Sequence, residues 1–137
     1  MDGNLVLNLT AKNWVETCSP SDENIALKGQ VYCDQSPIGS QDFSAKLAAC
    51  KNIDQLCAFL QRLNGFYAWV EQSAGQVLAA VDHIRSCPLF YGLANRQFYL
   101  SDDAEWIRQQ VGDREMDPVA REEFQPVGYV TGADTLF

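Results

Sequence analysis

The sequence has little positive charge, a single histidine and no long apolar run. Ten Lys and Arg residues stand against eighteen Asp and Glu residues, which gives a formal net charge of -8 and a pI of about 4.4. Nucleic-acid binders concentrate positive charge to neutralise phosphates, and anionic membrane surfaces attract basic segments. We therefore expect neither nucleic acid nor a membrane among the partners of this chain.

The chain also lacks the features of an exported, membrane or metal-binding protein. Asp2 and Gly3 stand where a signal peptide would carry basic residues, and no apolar run approaches the ~20 residues of a membrane helix. An odd number of cysteines without any CxxC spacing argues against a disulfide framework or a zinc site. We expect a cytoplasmic protein with reduced thiols and no metal; the five cysteines are Cys18, Cys33, Cys50, Cys57 and Cys87.

Length and composition favour one globular domain that spans residues 1–137. Apolar residues make up 47% of the chain, enough for a sizeable core, and 137 residues is a usual domain size. No internal repeat, low-complexity segment or linker interrupts the sequence.

Short alternating segments predict β-strands. They cover residues 4–10, 25–33, 66–72, 76–84, 88–93 and 97–101, and residues 12–16 extend the first strand or begin another. In residues 25–33, the side chains of Ile25, Leu27, Val31 and Cys33 fall on one face. Gly29 lies in the middle of the same face, and because glycine weakens strands it indicates the close approach of another group.

Four segments have helical patterns. Residues 43–50 form a short one, and residues 52–63 carry an apolar stripe that Asn52 caps and Asn64-Gly65 ends. A capping box of Asp102 and Glu105 predicts a helix that stops at Gly112. Asp117-Pro118 opens a fourth helix, which we expect to end before Pro126. The stripe consists of Ile53, Leu56, Phe59, Leu60 and Leu63.

The order of strands, helices, strands and helices is not a strict βαβ alternation. Short connections between the later strands favour antiparallel neighbours. The fold class predicted from this order is α+β, a layered arrangement with antiparallel sheets.

Five blocks of the sequence carry a family resemblance. They are LKGQVYC at 27–33, LNGFYA at 63–68, VDHIRSCPLFY at 81–91, QFYLSD at 97–102, and GY at 128–129 with DTLF at 134–137. In this order and spacing they resemble the N-terminal class II glutamine amidotransferase domain of the asparagine synthetase family. The resemblance implies an Ntn-hydrolase-like αββα sandwich of antiparallel sheets flanked by helices, incomplete at its C-terminus.

In active members of that family, an N-terminal cysteine attacks the glutamine amide and its own α-amine acts as the base. This sequence departs from the pattern at the decisive position, because Asp2 stands where the nucleophile should be. Lys28 replaces an oxyanion-hole Asn, Gly29 is retained and Gln30 replaces a Glu. Asp82 is kept. We therefore expect no catalytic residue and a vestigial pocket formed by Lys28, Gly29, Gln30 and Asp82.

Other candidate residues have structural explanations. His83 beside Asp82 lacks a nucleophile and a third partner, so a structural role is expected. Cys18 and Cys33 have no free α-amine and no evident base. Helix capping accounts for Asp102, Asp103 and Glu105 without a cation, and the tryptophans Trp14, Trp69 and Trp106 lie on predicted core faces.

Three functional hypotheses follow. The first is a degenerate glutaminase-like scaffold or regulatory domain of an ATP-dependent amide- or lactam-forming ligase, related to asparagine biosynthesis. This domain would need no cofactor, because ATP and Mg would bind a C-terminal synthetase domain or a partner chain. The second is a stand-alone binding or homodimerisation module. The third is an active glutamine amidotransferase whose cysteine lies elsewhere in the chain.

Overall fold

The computed structural model describes residues 5–18, 24–73 and 76–128. Eight strands and four helices lie in these residues. In chain order they are β1 (Leu5–Asn8), β2 (Trp14–Cys18), β3 (Asn24–Cys33), β4 (Ser36–Ile38), α1 (Ser40–Ala48), α2 (Ile53–Gln61), β5 (Leu63–Ser73), β6 (Gln76–Val81), β7 (Phe90–Ala94), β8 (Gln97–Ser101), α3 (Ala104–Val111) and α4 (Pro118–Val127). The α+β class predicted from the sequence is confirmed.

A five-stranded antiparallel sheet has the order β2-β3-β5-β6, with β4 paired to β3. Its centre is the β3–β5 ladder, which runs from Asn24 opposite Gln72 to Cys33 opposite Leu63. Both faces of this ladder carry buried apolar residues, so each face is covered by another layer.

The β3–β5 ladder contains two glycines with positive φ, Gly29 at +85° and Gly65 at +122°. A Cβ on Gly29 would lie 1.9 Å from the carbonyl oxygen of Phe66, and one on Gly65 would lie 2.1 Å from that of Gln30. Both positions therefore exclude any larger residue. The close approach predicted at Gly29 is confirmed, and its partner is the backbone of the neighbouring strand.

The second sheet has three strands in the order β1-β8-β7. The β7–β8 pair is an antiparallel hairpin, but β1 pairs parallel to β8, with Leu5 opposite Phe98 and Asn8 opposite Ser101. The prediction of antiparallel sheets is therefore confirmed for the five-stranded sheet and wrong for the β1–β8 pair. Short connections fix the direction of consecutive strands only, and β1 meets β8 from far away in the sequence, where no turn constrains the direction.

Two clusters of apolar residues cover the two faces of the five-stranded sheet. On one face, α1 and α2 pack through Phe43, Leu47 and Phe59 against Trp69 and its neighbours. On the other face, Ala26 and Val70 pack against Leu100, with Leu5, Leu7 and Phe98 around it, and so join the two sheets.

The far side of the three-stranded sheet is covered by α3. Ile107 and Val111 lie over Gly92 of β7, where a Cβ would approach Val111 to 2.5 Å, and Trp106 contacts the ring of Tyr99. The layers are thus α1 with α2, the five-stranded sheet, the three-stranded sheet, and α3.

Two predicted helix starts and one predicted helix end are confirmed. Asn52 caps α2 by accepting a hydrogen bond from the amide of Gln55, Asp117 caps α4, and Gly112 ends α3 in the left-handed conformation. The predicted stop at Asn64-Gly65 was wrong, because α2 ends at Gln61 and both residues belong to β5.

Two members of the predicted α2 stripe differ from expectation. Leu63 is buried in β5 and Ile53 is largely exposed, whereas Leu56, Phe59 and Leu60 face the core. Pro126 does not stop α4 either, since that helix continues to Val127 and ends at Gly128. In the described part of the chain, no helix is both long enough and apolar enough to cross a membrane.

Replacement of Gly29 by alanine should lower the free energy of unfolding by about 2–3 kcal/mol, because the new methyl group meets a backbone carbonyl at a left-handed φ. Urea unfolding followed by tryptophan fluorescence measures this loss. Gly39→Ala is the control, since that Cβ would meet no atom within 4 Å and should change stability by less than about 1 kcal/mol. Equal losses in the two variants would contradict the interpretation.

Candidate functional site

The structure locates three of the four predicted pocket residues on one strand. Lys28, Gly29 and Gln30 are consecutive in β3. Gly29 lies opposite Tyr67 of β5, and the backbone amide of Asp82 donates to the carbonyl oxygen of Tyr67 at 3.1 Å. The four residues therefore lie near one row across the sheet. Asp2, predicted at the nucleophile position, lies outside the described residues, as do the GY tyrosine at 129 and the DTLF block.

The side chains of Lys28 and Gln30 contact their own surroundings instead of an open site. Lys28 lies opposite Trp14, with its Nζ 6.0 Å from the centre of the indole ring, a geometry that favours a cation–π interaction. The Nε2 of Gln30 donates to the backbone oxygen of Val31 at 3.2 Å. Neither side chain is placed to bind the other or to meet Asp82.

Asp82 is the most completely hydrogen-bonded residue of the predicted set. Only 3% of it is exposed, and its carboxylate accepts from the backbone amides of Tyr67, Ile84 and Ser86 at 3.0–3.3 Å and from the hydroxyl of Ser86. The amide of Arg85 donates to the Asp82 carbonyl oxygen. Asp82 therefore continues the β5–β6 ladder at its end and folds the following turn.

The electrostatics agree with this structural role. Burial by itself would raise the pKa of Asp82, but the hydrogen bonds from Ser86, Ile84 and Tyr67 outweigh it and lower the pKa below its usual value. The carboxylate stays ionised and directs its oxygens at donors of its own chain. Burial, and then the charge of Asp82, raise the pKa of the nearby Tyr67 phenol.

The predicted pocket residues thus lie close in the fold but do not converge. Lys28 and Gln30 point to the side of the sheet that carries Trp14 and Ala26, whereas the Asp82 carboxylate bonds the backbone at the end of β6. Gly29 packs against the backbone of Phe66, and the Asp82 carboxylate is occupied by bonds to its own chain, so the set forms no common binding arrangement among the described residues.

The remaining sequence candidates also have ordinary contacts. The Nε2 of His83 donates to the carbonyl oxygen of Leu63 at 3.1 Å, and Cys33 is buried in the cluster under the helices. Across residues 5–18, 24–73 and 76–128, His, Cys, Asp and Glu side chains form no group of three or more that could hold a metal.

Asp102 has a role that the sequence analysis missed. The prediction that it caps α3 was wrong, because Asp103 accepts from the amides of Glu105 and Trp106. Asp102 instead accepts from the amide and hydroxyl of Thr10, the amide of Ala11 and the indole Nε1 of Trp14, at 2.7–2.9 Å. Its carboxylate thereby joins the β1–β2 turn to the end of β8.

One signal in the sequence points to this role. Two adjacent acidic residues precede α3, and a helix start uses only one N-cap residue. The other carboxylate is therefore free to accept hydrogen bonds from donors in another segment of the chain. What the sequence does not contain is the identity of those donors, which lie about 90 positions away.

An open cavity of about 260 Å³ lies at the end of α3, away from the predicted residues. It is lined by Glu105, Arg108, Gln109, Gly112, Asp113 and Arg114. Arg108 forms two hydrogen bonds with the Glu105 carboxylate and a third with the Asp113 carbonyl oxygen. The guanidinium of Arg108 is therefore already bonded to residues of α3 and of the segment that follows it.

Comparison with protein-family models, with curated proteins and with solved structures finds no match for this chain. The resemblance to the asparagine synthetase family therefore stays a prediction that rests on the residues of the five blocks.

Replacing Asp82 by asparagine should lower the free energy of unfolding by about 2–3 kcal/mol. An amide nitrogen would then face backbone N–H groups in place of an accepting oxygen and leave a buried donor unsatisfied. Thermal and urea unfolding report the loss. Asp34→Asn is the matched control, because Asp34 forms an exposed ion pair with Arg62 and should change stability by less than about 1 kcal/mol. A fully stable Asp82→Asn protein would contradict the structural role.

The Asp102 cluster predicts acid sensitivity. Burial raises the pKa of Asp102, but the bonds from Thr10, Trp14 and Ala11 lower it overall, from 3.8 to about 2. Since the pKa is depressed in the folded state, the stabilisation is fully present above about pH 4 and is lost as the pH falls toward 2. After allowance for solvent screening it amounts to roughly 1–2 kcal/mol.

The test compares Asp102→Asn with Asp103→Asn from pH 2 to 7. The first variant should be less stable at neutral pH and lose less on acidification, because it lacks the titrating group. The second keeps a good N-cap, since asparagine and aspartate cap equally well. Parallel pH profiles for the wild type and Asp102→Asn would count against the assignment.

Proposed function

We propose that this chain is a catalytically silent, glutaminase-like domain that serves as a scaffold or regulatory module of an amide- or lactam-forming ligase. The five sequence blocks support the proposed relation to the asparagine synthetase family. ATP and Mg²⁺ would belong to a synthetase domain or partner chain, and the parent reaction would take ammonia or a substrate amine from another source.

One observation carries the silent character of the site. The polar groups that the resemblance assigns to the pocket are bound to their own chain: Asp82 to three amides and a hydroxyl, Gln30 to a backbone carbonyl, and Lys28 to the face of Trp14. A glutamine amidotransferase needs donors directed at the oxyanion and charged groups directed at the substrate. Here the Asp82 carboxylate is occupied by structural bonds.

The order of layers is compatible with the αββα sandwich that the resemblance implies. Two facing sheets are covered on their outer sides by α1 with α2 and by α3. The parallel β1–β8 pair places β1 beside β8. An Ntn-hydrolase-like fold is the finer description that we propose for this arrangement.

The contacts of Cys33 and Cys50 do not support a displaced cysteine nucleophile at either position. Cys33 is buried with its sulfur 3.8 Å from the Asp34 carboxylate, and Cys50 donates to the carbonyl oxygen of Lys46. An activated thiolate requires a base or a positive neighbour, and neither contact described for these two cysteines supplies one.

The proposal predicts that the protein releases no glutamate from glutamine above the buffer background. Removal of a nucleophile alone costs several orders of magnitude in rate, and the committed pocket groups cannot compensate. The assay is coupled detection of glutamate at millimolar glutamine. Turnover at rates typical of glutaminases would overturn the proposal.

An Asp2→Cys variant provides the sharper test, because it restores a thiol at the predicted nucleophile position without touching the rest. We expect it to remain inactive, since Lys28 and the saturated Asp82 leave the substrate unbound. As a second readout, both proteins are treated with a glutamine analogue that alkylates cysteine. We expect that added glutamine does not reduce the labelling of either protein. Glutamine-protected labelling of the wild type would instead favour an active enzyme.

A further inference from the structure

The strand β7 forms an open edge of the three-stranded sheet. In the sheet order β1-β8-β7 it is the last strand, and none of the residues described in the structure pairs with its outer side. Its sequence, FYGLA, contains no charged residue and no proline. Natural edge strands are normally protected by such residues, and an unprotected edge is a template for pairing with another strand.

The β7 edge also exposes two large apolar side chains on one face. Tyr91 and Leu93 lie opposite Leu100 and Phe98 of β8, so they share the face that packs between the sheets. Leu100 is buried there, whereas Tyr91 is 73% and Leu93 71% exposed. Tyr91 stacks on Phe98 with a ring separation of 5.9 Å. The face of the three-stranded sheet that packs on the five-stranded sheet is therefore covered at β8 and exposed at β7.

Two exposed arginines lie on either side of β7 in the sequence. Arg85 in the preceding connection and Arg96 in the β7–β8 turn are both exposed, and no described carboxylate forms an ion pair with either. Among the nearby carboxylates, Asp82 and Asp102 accept hydrogen bonds from their own chain, Asp103 caps α3, and the exposed Glu105 of α3 is paired with Arg108. Positive charge thus flanks an uncharged strand in a chain of net charge -8.

We propose that the β7 edge binds an extended peptide segment with apolar alternating residues and acidic flanks, which adds a strand to the three-stranded sheet. Backbone groups of Phe90–Ala94 would pair with the peptide, and its apolar side chains would cover Tyr91 and Leu93. A second copy fits less well, because antiparallel pairing of two β7 strands would bring the flanking arginines of both copies together. This inference rests on the β7 geometry and not on the proposed function.

The experiment titrates the ¹⁵N-labelled protein with the peptide EEVTVTVEE and follows the amide resonances. We expect saturable shifts concentrated in Phe90–Ala94. The same peptide with lysine flanks should bind at least fivefold more weakly, and a version with a central proline should lose binding. Absence of saturable shifts at millimolar peptide, shifts centred elsewhere, or equal affinity for the two flanks would overturn the proposal.

Two pairs of variants complete the test. Leu93→Lys should weaken binding at least fivefold despite its added positive charge, whereas Val15→Lys, on the exposed face of the edge strand β2, should leave it unchanged. Arg96→Asn suits the positive φ of that turn position and should reduce the preference for acidic flanks.

Thermal unfolding verifies that each variant is folded, and Tyr91→Lys replaces Leu93→Lys if the latter is not. Sedimentation of the protein without peptide tests whether a second copy of the chain occupies the β7 edge instead. If the protein is a dimer and Leu93→Lys dissociates it, the proposal of a peptide ligand is wrong and a second copy binds the β7 edge.

Discussion

The antiparallel ladder between β3 and β5 is the contact on which the rest of the fold depends. It carries the helical layer on one face and the second sheet on the other, because alternate residues of β3 enter the two apolar clusters. Gly29 and Gly65 let the two backbones approach at a distance that a Cβ would prevent. Without that approach, Tyr67 would not lie between β3 and the carboxylate of Asp82, and the turn after β6 would lose its anchor.

Two carboxylates join distant segments to this framework. Asp82 binds amides of the β5–β6 end and of the following turn, and Asp102 binds the β1–β2 turn from the end of β8. A carboxylate that accepts several internal hydrogen bonds stays ionised and fixed, which suits a structural role. The same bonds occupy the Asp82 carboxylate, and they support the proposal of a silent site.

The three-stranded sheet leaves β7 with an uncovered edge and an uncovered apolar face. The edge follows from the strand order β1-β8-β7, and on the apolar face Leu100 of β8 is enclosed whereas Tyr91 and Leu93 beside it are not. A domain without catalytic activity, as we propose for this chain, can still act through such a surface. Binding of an acidic-flanked strand would give a scaffold domain a definite means of recognising another chain.

Local pattern in the sequence determined the class of the fold, most strands, the Asn52, Asp117 and Gly112 helix boundaries, the faces of β3 and the close approach at Gly29. Each depends on residues a few positions apart, where turn chemistry and periodicity act. Tertiary structure alone decided the parallel β1–β8 pairing, the entry of Asn64-Gly65 into a strand and the partners of Asp102. It also separated Lys28 and Gln30 from Asp82. These outcomes depend on contacts between segments far apart in the chain, which packing selects and local pattern does not encode.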